Sequence, residues 1–524
     1  MSLIIAGERS GVGKTTITLS ILAFLAQQKN CLVQSFKVGP DYIDPMFHTA
    51  ITGRSARNLD PLLTSPDYVR SCFALHSKLA DYAVIEGVMG LFDGVSHNSI
   101  ADYASTAQIA RLLEIPVLLV LDCSRLSGSV AAIAHGFRSL DPRITIAGVV
   151  LNRVASDRHL KLLQEALNRI EMPILGVIRR HSAITIPDRH LGLIPTPELP
   201  EITKVFARLA EIAKNSFNWE KLLPLLKSDR HQQQRTNNRE QTLREVRVPL
   251  LGARSFADYK FRRVAPLTSL QDTASISDGA NAPASRRDFE PIGSVGRTST
   301  NNQKIRIAVA RDRAFNFYYQ DNLDILERLG AEICFWSPLQ NRNIPDGVKG
   351  FYFGGGFPEV FAEELAANQP VKQQLKQIVS QKVPIYAECG GLMYLCDRLV
   401  DFQGKSWQMV GTIPTTAIMS SRLTLGYRQA FPLNQSSLIA KAMSSIDRSA
   451  PSSNAIWGHE FHRSQLERIS HKPLWQLKGC SPDSKKIAEG WAIDNIHASY
   501  LHLHFGESQF LLKKWLGYCQ DRKN

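Results

Sequence analysis

The sequence predicts an α/β protein with a doubly wound P-loop domain over residues 1–224, a linker or insertion over 225–303 and a second α/β domain over 304–524. Three observations carry this. Short β-branched runs alternate with helix-forming stretches up to about residue 215, several apolar on both faces, as a parallel sheet covered by helices on each side requires. A glycine-rich loop ending in Lys-Thr joins the first run to the first helix. A polar, low-complexity stretch then interrupts the pattern, which restarts at Lys304.

In the first domain LIIAG (3–7), CLVQSF (31–36), YAVIEG (82–87), PVLLVLD (116–122) and ITIAGVVLN (144–152) read as strands, with helices near 14–29, 103–114, 128–139 and 157–170. The loop Glu8–Thr16 lies between a strand and a helix, the context of a phosphate loop. Gly11 and Gly13 let backbone N–H groups converge on phosphates, and Lys14 reaches the β- and γ-phosphates. The Thr15 hydroxyl is placed for Mg²⁺, and Thr16 completes the nucleotide-binding set. Gly7 stands six residues before Gly13, so the loop is longer than in most P-loop proteins. ATP, with Mg²⁺, is the expected co-substrate.

Carboxylates cluster at the ends of the next strands. KVGPDYIDP (37–45) puts Asp41 and Asp44 three apart in a loop stiffened by Gly and Pro, suited to Mg²⁺ or to substrate. YAVIEG ends in Glu86, and Asp93 follows in the glycine-flanked EGVMGLFDG (86–94). Asn152 ends its strand, where it either recognises adenine or forms a turn.

The stretch from 225 to 303 is rich in Gln, Asn, Ser, Thr, Ala, Arg and Gly, with little periodicity to bury, and reads as disordered in whole or part. Its more apolar centre, VRVPLLGARSFADYKF, could dock elsewhere. In the second domain KIRIAVARD (304–312), AEICFWS (331–337), VKGFYFGGG (348–356), VPIYAEC (383–389), IAEGWAI (487–493) and HASYLHLHF (497–505) read as strands, before a last helix over about 507–517.

YAECGG turns sharply from a strand into a helix at Cys389, which exposes the thiol and sets a helix N-terminus behind it to favour the thiolate. Gly390 offers a backbone N–H to an oxyanion, and Gly355 and Gly356 in GGGFPE offer a second. The cysteine needs a base, and His502 is the choice. His504 shares its face in an extended segment, so periodicity does not separate them; His459 and His462 of GHEFH are further candidates or line the substrate cleft.

Composition bounds the function. The net charge of +14 invites a polyanion, but residues 227–304 hold 14 Lys and Arg against 8 Asp and Glu, so nearly half the excess sits outside either domain. No basic, aromatic-rich module accompanies it, which argues against nucleic acid. No apolar run reaches the length of about 18 residues that a membrane helix needs. The N-terminus lacks a signal-peptide pattern and the eight cysteines are scattered, so a reducing cytoplasm is expected.

Together SGVGKTT, KVGPDYIDP, EGVMGLFDG, GGGFPE, YAECGGLMYL, GHEFH and YLHLHF, in that order, make the chain resemble the cobyrinate a,c-diamide synthase family. The resemblance spans roughly 4–200 and 304–510 and implies a dethiobiotin-synthetase-like ATP domain followed by a class I glutamine amidotransferase domain. It implies that ATP phosphorylates the a- and c-side-chain carboxylates of cobyrinate or a similar corrinoid. Ammonia from glutamine at Cys389 then displaces each phosphate, giving the a,c-diamide, ADP, phosphate and glutamate. Lys14 and Thr15 are carried over to nucleotide, Asp41, Asp44, Glu86 and Asp93 to metal or substrate, Cys389 to nucleophile and His502 to base. Hydrogenobyrinate, the carboxylates amidated by cobyric acid synthase and nickel-sirohydrochlorin are alternative substrates, and pairing into a homodimer is open. A ParA/MinD-like partner-binding ATPase is the contrasting class; that group's extra lysine aligns with Arg9, and such switches carry no glutaminase. Class I enzymes generally carry His-x-Glu, yet His504 stands two after His502, so the third member of the triad is missing or lies elsewhere.

Overall fold

The computed structural model describes residues 2–29, 31–97, 100–180, 188–189, 192–199, 201–228, 304–433, 455–481, 483–493 and 495–520. The expected insertion lies outside them from residue 229 to 303, its apolar centre included.

The first sheet comprises β1 (Leu3–Gly7), β2 (Val33–Val38), β3 (Arg57–Leu59), β4 (Tyr82–Glu86), β5 (Val117–Asp122), β6 (Ile146–Val154) and β7 (Ile174–Arg179). They lie in the order β3-β2-β4-β1-β5-β6-β7, every pair parallel. All side chains of β1, β2 and β5 are buried, which accounts for runs that are apolar on both faces. The helices are α1 (Lys14–Ala23), α2 (Ile43–Thr52), α3 (Pro66–Ser77), α4 (Thr106–Leu113), α5 (Ser129–Leu140), α6 (Asp157–Asn168), α7 (Ile202–Ser216) and α8 (Trp219–Leu226). Leu19, Phe47, Leu209 and Leu222 of α1, α2, α7 and α8 fill one layer; Val69, Ile109, Ala134 and Leu163 of α3 to α6 fill the other. This is a doubly wound domain, with a ligand crevice at the strand ends around β1.

The sequence reading missed β3, β7, α2, α3, α7 and α8. The case of α2 is instructive: the last three residues of KVGPDYIDP are helix. Asp41 Oδ1 accepts from the Ile43 and Asp44 N–H groups at 2.9 and 3.1 Å, so the helix starts inside the motif and carries Asp44 on its first turn. Past residue 224 the Ser228 N–H still donates to the Asp81 carbonyl, at 3.0 Å.

In the second half β8 (Ile305–Ala310), β9 (Ala331–Trp336), β10 (Gly350–Phe353) and β11 (Ile385–Glu388) form a parallel sheet with α9 (Gln320–Arg328), α10 (Ala362–Ala367), α11 (Gln369–Ser380) and α12 (Gly390–Leu395). The chain then builds a second, largely antiparallel sheet from β12 (Cys396–Val400), β13 (Ser406–Gln408), β14 (Ile413–Pro432), β15 (Ile456–Leu466), β16 (Trp475–Gly479) and β17 (Ile487–Glu489). β18 (Trp491–Ile493) and β19 (Ile496–Ser499) return to complete the first in the order β9-β8-β10-β11-β19-β18. β20 (His502–Leu503) joins the other sheet beside β15, and α13 (Gln509–Gln520) ends the described chain. Two expected strands are therefore split: IAEGWAI at Gly490, with φ at +85°, and HASYLHLHF between two sheets. Among the described residues no helix is long and apolar enough to cross a membrane.

The two halves share an apolar cluster in which Phe317, Tyr319 and Phe357 join Tyr42, Ile43 and Phe47. Beside it Arg57 bonds Asp321 at 3.1 Å and Asp324 at 2.5 Å, and the Tyr427 hydroxyl donates to Asp60 Oδ2 at 2.8 Å. Burial works against the charge of Arg57, but the two aspartates hold it protonated. Arg57→Ala leaves Asp321 buried without its guanidinium and is expected to destabilise the protein by about 3 kcal/mol. A urea unfolding midpoint unchanged from wild type would refute this.

Candidate active site

The strand pairing builds the first centre. β2 and β4 run side by side in a register that sets Lys37 opposite Glu86, at the strand ends facing the phosphate loop. Lys37 Nζ donates to Asp44 Oδ2 at 2.6 Å and Glu86 Oε1 at 3.0 Å, and lies 3.7 Å from Asp41 Oδ2. The Thr15 hydroxyl donates to Glu86 Oε1 at 2.6 Å and Asp44 Oδ2 at 3.3 Å. On the far side His48 Nε2 lies 2.7 Å from Glu86 Oε2. Thr15, Asp41, Asp44 and Glu86 thus converge as expected. Asp93 does not join this contact network: its carboxylate accepts from the Gly90 N–H at 2.8 Å and folds its own loop.

In the loop itself Gly11 and Gly13 have φ of +76° and +95°, values that favour glycine. Gly13 is also constrained by space, since a Cβ there would lie 2.4 Å from Asn152 Nδ2. Asn152 donates to the Val12 carbonyl at 2.7 Å and accepts from the Arg153 N–H at 2.9 Å, so it braces the phosphate loop from β6. Thr16, half-buried, follows Thr15 in the first turn of α1. Arg9 and Arg153 both pair with Asp122, at 3.0 and 2.6 Å. A cavity of about 640 Å³ opens there, lined among others by Glu8, Arg9, Asp122, Ser124 and Arg125.

The charges are unbalanced. Burial works against Lys37, yet Asp44, Glu86 and Asp41 keep it protonated. Burial alone would raise Glu86, but Lys37, His48 and Thr15 hold it below the usual carboxylate range. Asp44 is pushed up by burial, Asp41 and Glu86, more than Lys37 restores. Lys14 is a second amine within electrostatic reach of Glu86 and Asp44, and the three carboxyl groups with the Thr15 hydroxyl offer the hard oxygen donors that suit Mg²⁺. Lys14 is brought down to about 8, by burial and then by Lys37. Phosphate bound beside it favours the protonated amine, so ATP affinity should be flat below pH 8 and fall as pH rises beyond it, by up to about tenfold per unit. Titration calorimetry from pH 7 to 9.5 checks this; affinity that rises or stays constant across that range contradicts it.

The second centre is built where β11 ends. Cys389 has φ +48° and ψ −103°, the strained backbone of a nucleophile elbow, and α12 begins at Gly390. A Cβ on Gly390 would sit 3.0 Å from Pro358 Cδ and 3.1 Å from the Gly356 nitrogen, so the two glycine loops touch. A Cβ on Gly355 would meet His502 Cε1 at 2.4 Å and Nε2 at 3.0 Å. Cys389, Gly390, Gly355, Gly356 and His502 are therefore brought together. Cys389 Sγ lies 4.0 Å from the Phe461 carbonyl in the GHEFH strand β15.

The histidines now separate. His504 turns away, with Nδ1 accepting from the Gly506 N–H at 3.2 Å and Nε2 lying 3.6 Å from Asp321. β20 ends at Leu503, so His504 lies past the strand and the shared face inferred from alternation does not hold. His462 stacks on Tyr500 at 3.9 Å with Nδ1 on the Ser464 carbonyl. His459 faces His502 across β15 and β20, and burial, with His502 and Arg428, brings it down to about 3. One expectation is reversed. Burial, followed by Glu359, pushes the Cys389 thiol well up, and Glu388 and Glu460 add to this; the Gly390 N–H of a six-residue helix offsets only part. Burial thus works against the thiolate that the helix N-terminus was expected to favour.

Four side chains in these centres went unassigned in the sequence: Lys37, His48, Tyr42 and Glu388. Lys37 was legible as the first residue of KVGPDYIDP; the others required tertiary neighbours. Tyr42 joins the centres, its ring 4.9 Å from that of His502 while Asp41 and Asp44 flank it in sequence.

Residues 306–510 match the CobB/CobQ-like glutamine amidotransferase domain family, and residues 3–194 match the CobQ/CobB/MinD/ParA nucleotide binding domain family. Over 99% of both chains the sequence is 48% identical to a cobyrinate a,c-diamide synthase of Synechococcus sp.. It is 45% identical to one of Synechocystis sp., covering 99% of this chain and 93% of that one. A hydrogenobyrinate a,c-diamide synthase of Streptomyces coelicolor is 36% identical, covering 99% of this chain and 97% of that one.

Proposed function

We propose that this chain, which belongs to the cobyrinate a,c-diamide synthase family, uses ATP and glutamine to convert the a- and c-side-chain carboxylates of cobyrinate into amides. The observation that carries the reading is that one segment serves both centres: Lys37 and Asp44 sit in the phosphate-loop cluster, while Tyr42 between them touches His502.

At the first centre a substrate carboxylate oxygen attacks the γ-phosphorus of ATP, forming an acyl phosphate and releasing ADP. Lys14 and the loop N–H groups hold the phosphates. Lys37, held charged against Asp44 and Glu86, is placed to offset charge developing on the transferred group. Thr15, Asp44, Glu86 and Asp41 would hold Mg²⁺, which when bound neutralises phosphate charge. The cavity beside Arg9 has room for the rest of the nucleotide.

At the second centre Cys389 attacks the glutamine amide carbon, its proton passing through His502 to the departing ammonia. The Gly390 and Gly356 N–H groups face the oxyanion, and water then releases glutamate. Ammonia attacks the acyl phosphate and displaces phosphate. Its partners on this reading are the corrinoid, glutamine and ATP.

Incubation with ATP, Mg²⁺, glutamine and cobyrinate should give two carboxylate-to-amide conversions by mass; no conversion, with hydrogenobyrinate equally inert, would sink the proposal. In Cys389→Ser glutamine-driven amidation should fall about a hundredfold or more while ammonia-driven amidation continues at the wild-type rate. Equal loss of both would make the cysteine structural.

A further inference from the structure

The class I pattern expects a carboxylate two residues after the base, and this chain has His504 there, occupied with Asp321. The geometry points to Glu388, the residue immediately before the nucleophile, as the carboxylate that positions His502. Glu388 Oε2 lies 3.6 Å from His502 Nδ1, with both side chains almost fully buried. No described carboxylate other than Glu388 is recorded within ion-pair distance of His502.

Three contacts fix Glu388. The Tyr386 hydroxyl and the Leu503 N–H donate to Oε1 at 2.8 and 3.1 Å, and the Tyr352 hydroxyl donates to Oε2 at 3.1 Å. The Leu503 N–H ties the carboxylate to the residue beside His502, so carboxylate and imidazole are held by the same strand. Both ring nitrogens of His502 are buried and lack a hydrogen-bond partner. Nδ1 faces Glu388, while Nε2 faces Gly355, whose loop packs on the elbow at Gly390. A carboxylate on Nδ1 keeps the proton there and leaves Nε2 as the acceptor for the thiol proton. A short closing movement when glutamine binds would bring 3.6 Å within hydrogen-bond range.

The alternative placement has a physical basis. A strand carboxylate preceding the elbow reaches the histidine from below the sheet, whereas the residue two after His502 has left the strand and points at Asp321. Glu388 touches neither glutamine nor thiol in this scheme; it acts through His502.

The inference rests on the glutaminase reading, and its test is built to fail separately. Glu388→Gln preserves shape and can keep the tyrosine and Leu503 contacts, but presents an amide N–H to Nδ1. It should lower kcat for glutamate release about a hundredfold or more, leave KM for glutamine within about twofold, and leave ammonia-driven amidation unchanged. Glu388→Asp keeps the charge and should recover most of that kcat. A purely structural role predicts the reverse ranking, with the isosteric glutamine the milder change, and that ranking would overturn the proposal. So would glutamine turnover in Glu388→Gln within about threefold of wild type. Should both variants lose the ammonia route, or wild type release no glutamate, nitrogen-15 shifts of His502 decide. Assigned by their loss in His502→Gln, they should show the neutral-ring proton on Nδ1; a proton on Nε2 overturns the proposal.

Discussion

The pairing of Lys37 with Glu86 across β2 and β4 is the interaction on which the first centre depends. It fixes an ammonium among Asp41, Asp44 and Glu86, and the position of Glu86 in turn fixes Thr15 and His48. Because α2 follows this strand after a four-residue loop, the same backbone that sets Asp44 against Lys37 carries Tyr42 to His502. The centres are therefore connected by one short stretch of chain.

The chemistry supplies a reason for that closeness. An acyl phosphate is lost to water unless its site is shielded, and ammonia is useless once protonated because it has no lone pair to offer. Tyr42, Phe317 and Tyr319 pack between the centres with rings 4.7 to 5.3 Å apart, in the apolar cluster the two halves share. Such a wall is apolar apart from the buried hydroxyls of Tyr42 and Tyr319. The burial of Cys389 fits the same logic: with Glu359, Glu388 and Glu460 nearby, a thiolate is disfavoured until a proton can move to His502.

Much of this was legible in the sequence, for identifiable reasons. β1 and β5 are apolar on both faces because helices cover both; Lys14 and Thr15 open a helix behind a glycine-rich loop, and Glu86 and Cys389 stand at strand ends followed by glycine. What escaped depended on contacts distant in sequence. Three-residue β3 carries no periodicity, yet brings Arg57 to Asp321 across 264 residues. The α2 start was hidden because Pro40 and Pro45 look like loop punctuation. That Asn152 also braces the phosphate loop through the Val12 carbonyl was out of reach of the sequence, because the two stand 140 residues apart. His502 and His504 looked equivalent by alternation, but β20 ends between them at Leu503 and they face different carboxylates.

With Tyr42, Phe317 and Tyr319 packed between the centres, nitrogen released at Cys389 is proposed to reach the acyl phosphate through the protein interior. The most direct measurement is amidation of cobyrinate with amide-labelled ¹⁵N-glutamine in the presence of excess unlabelled ammonium at mildly alkaline pH, with the isotopic content of the diamide read by mass. The account predicts product labelled almost entirely with ¹⁵N, whatever the ammonium in solution. Label diluted to the proportion of free ammonia in the bulk would contradict it.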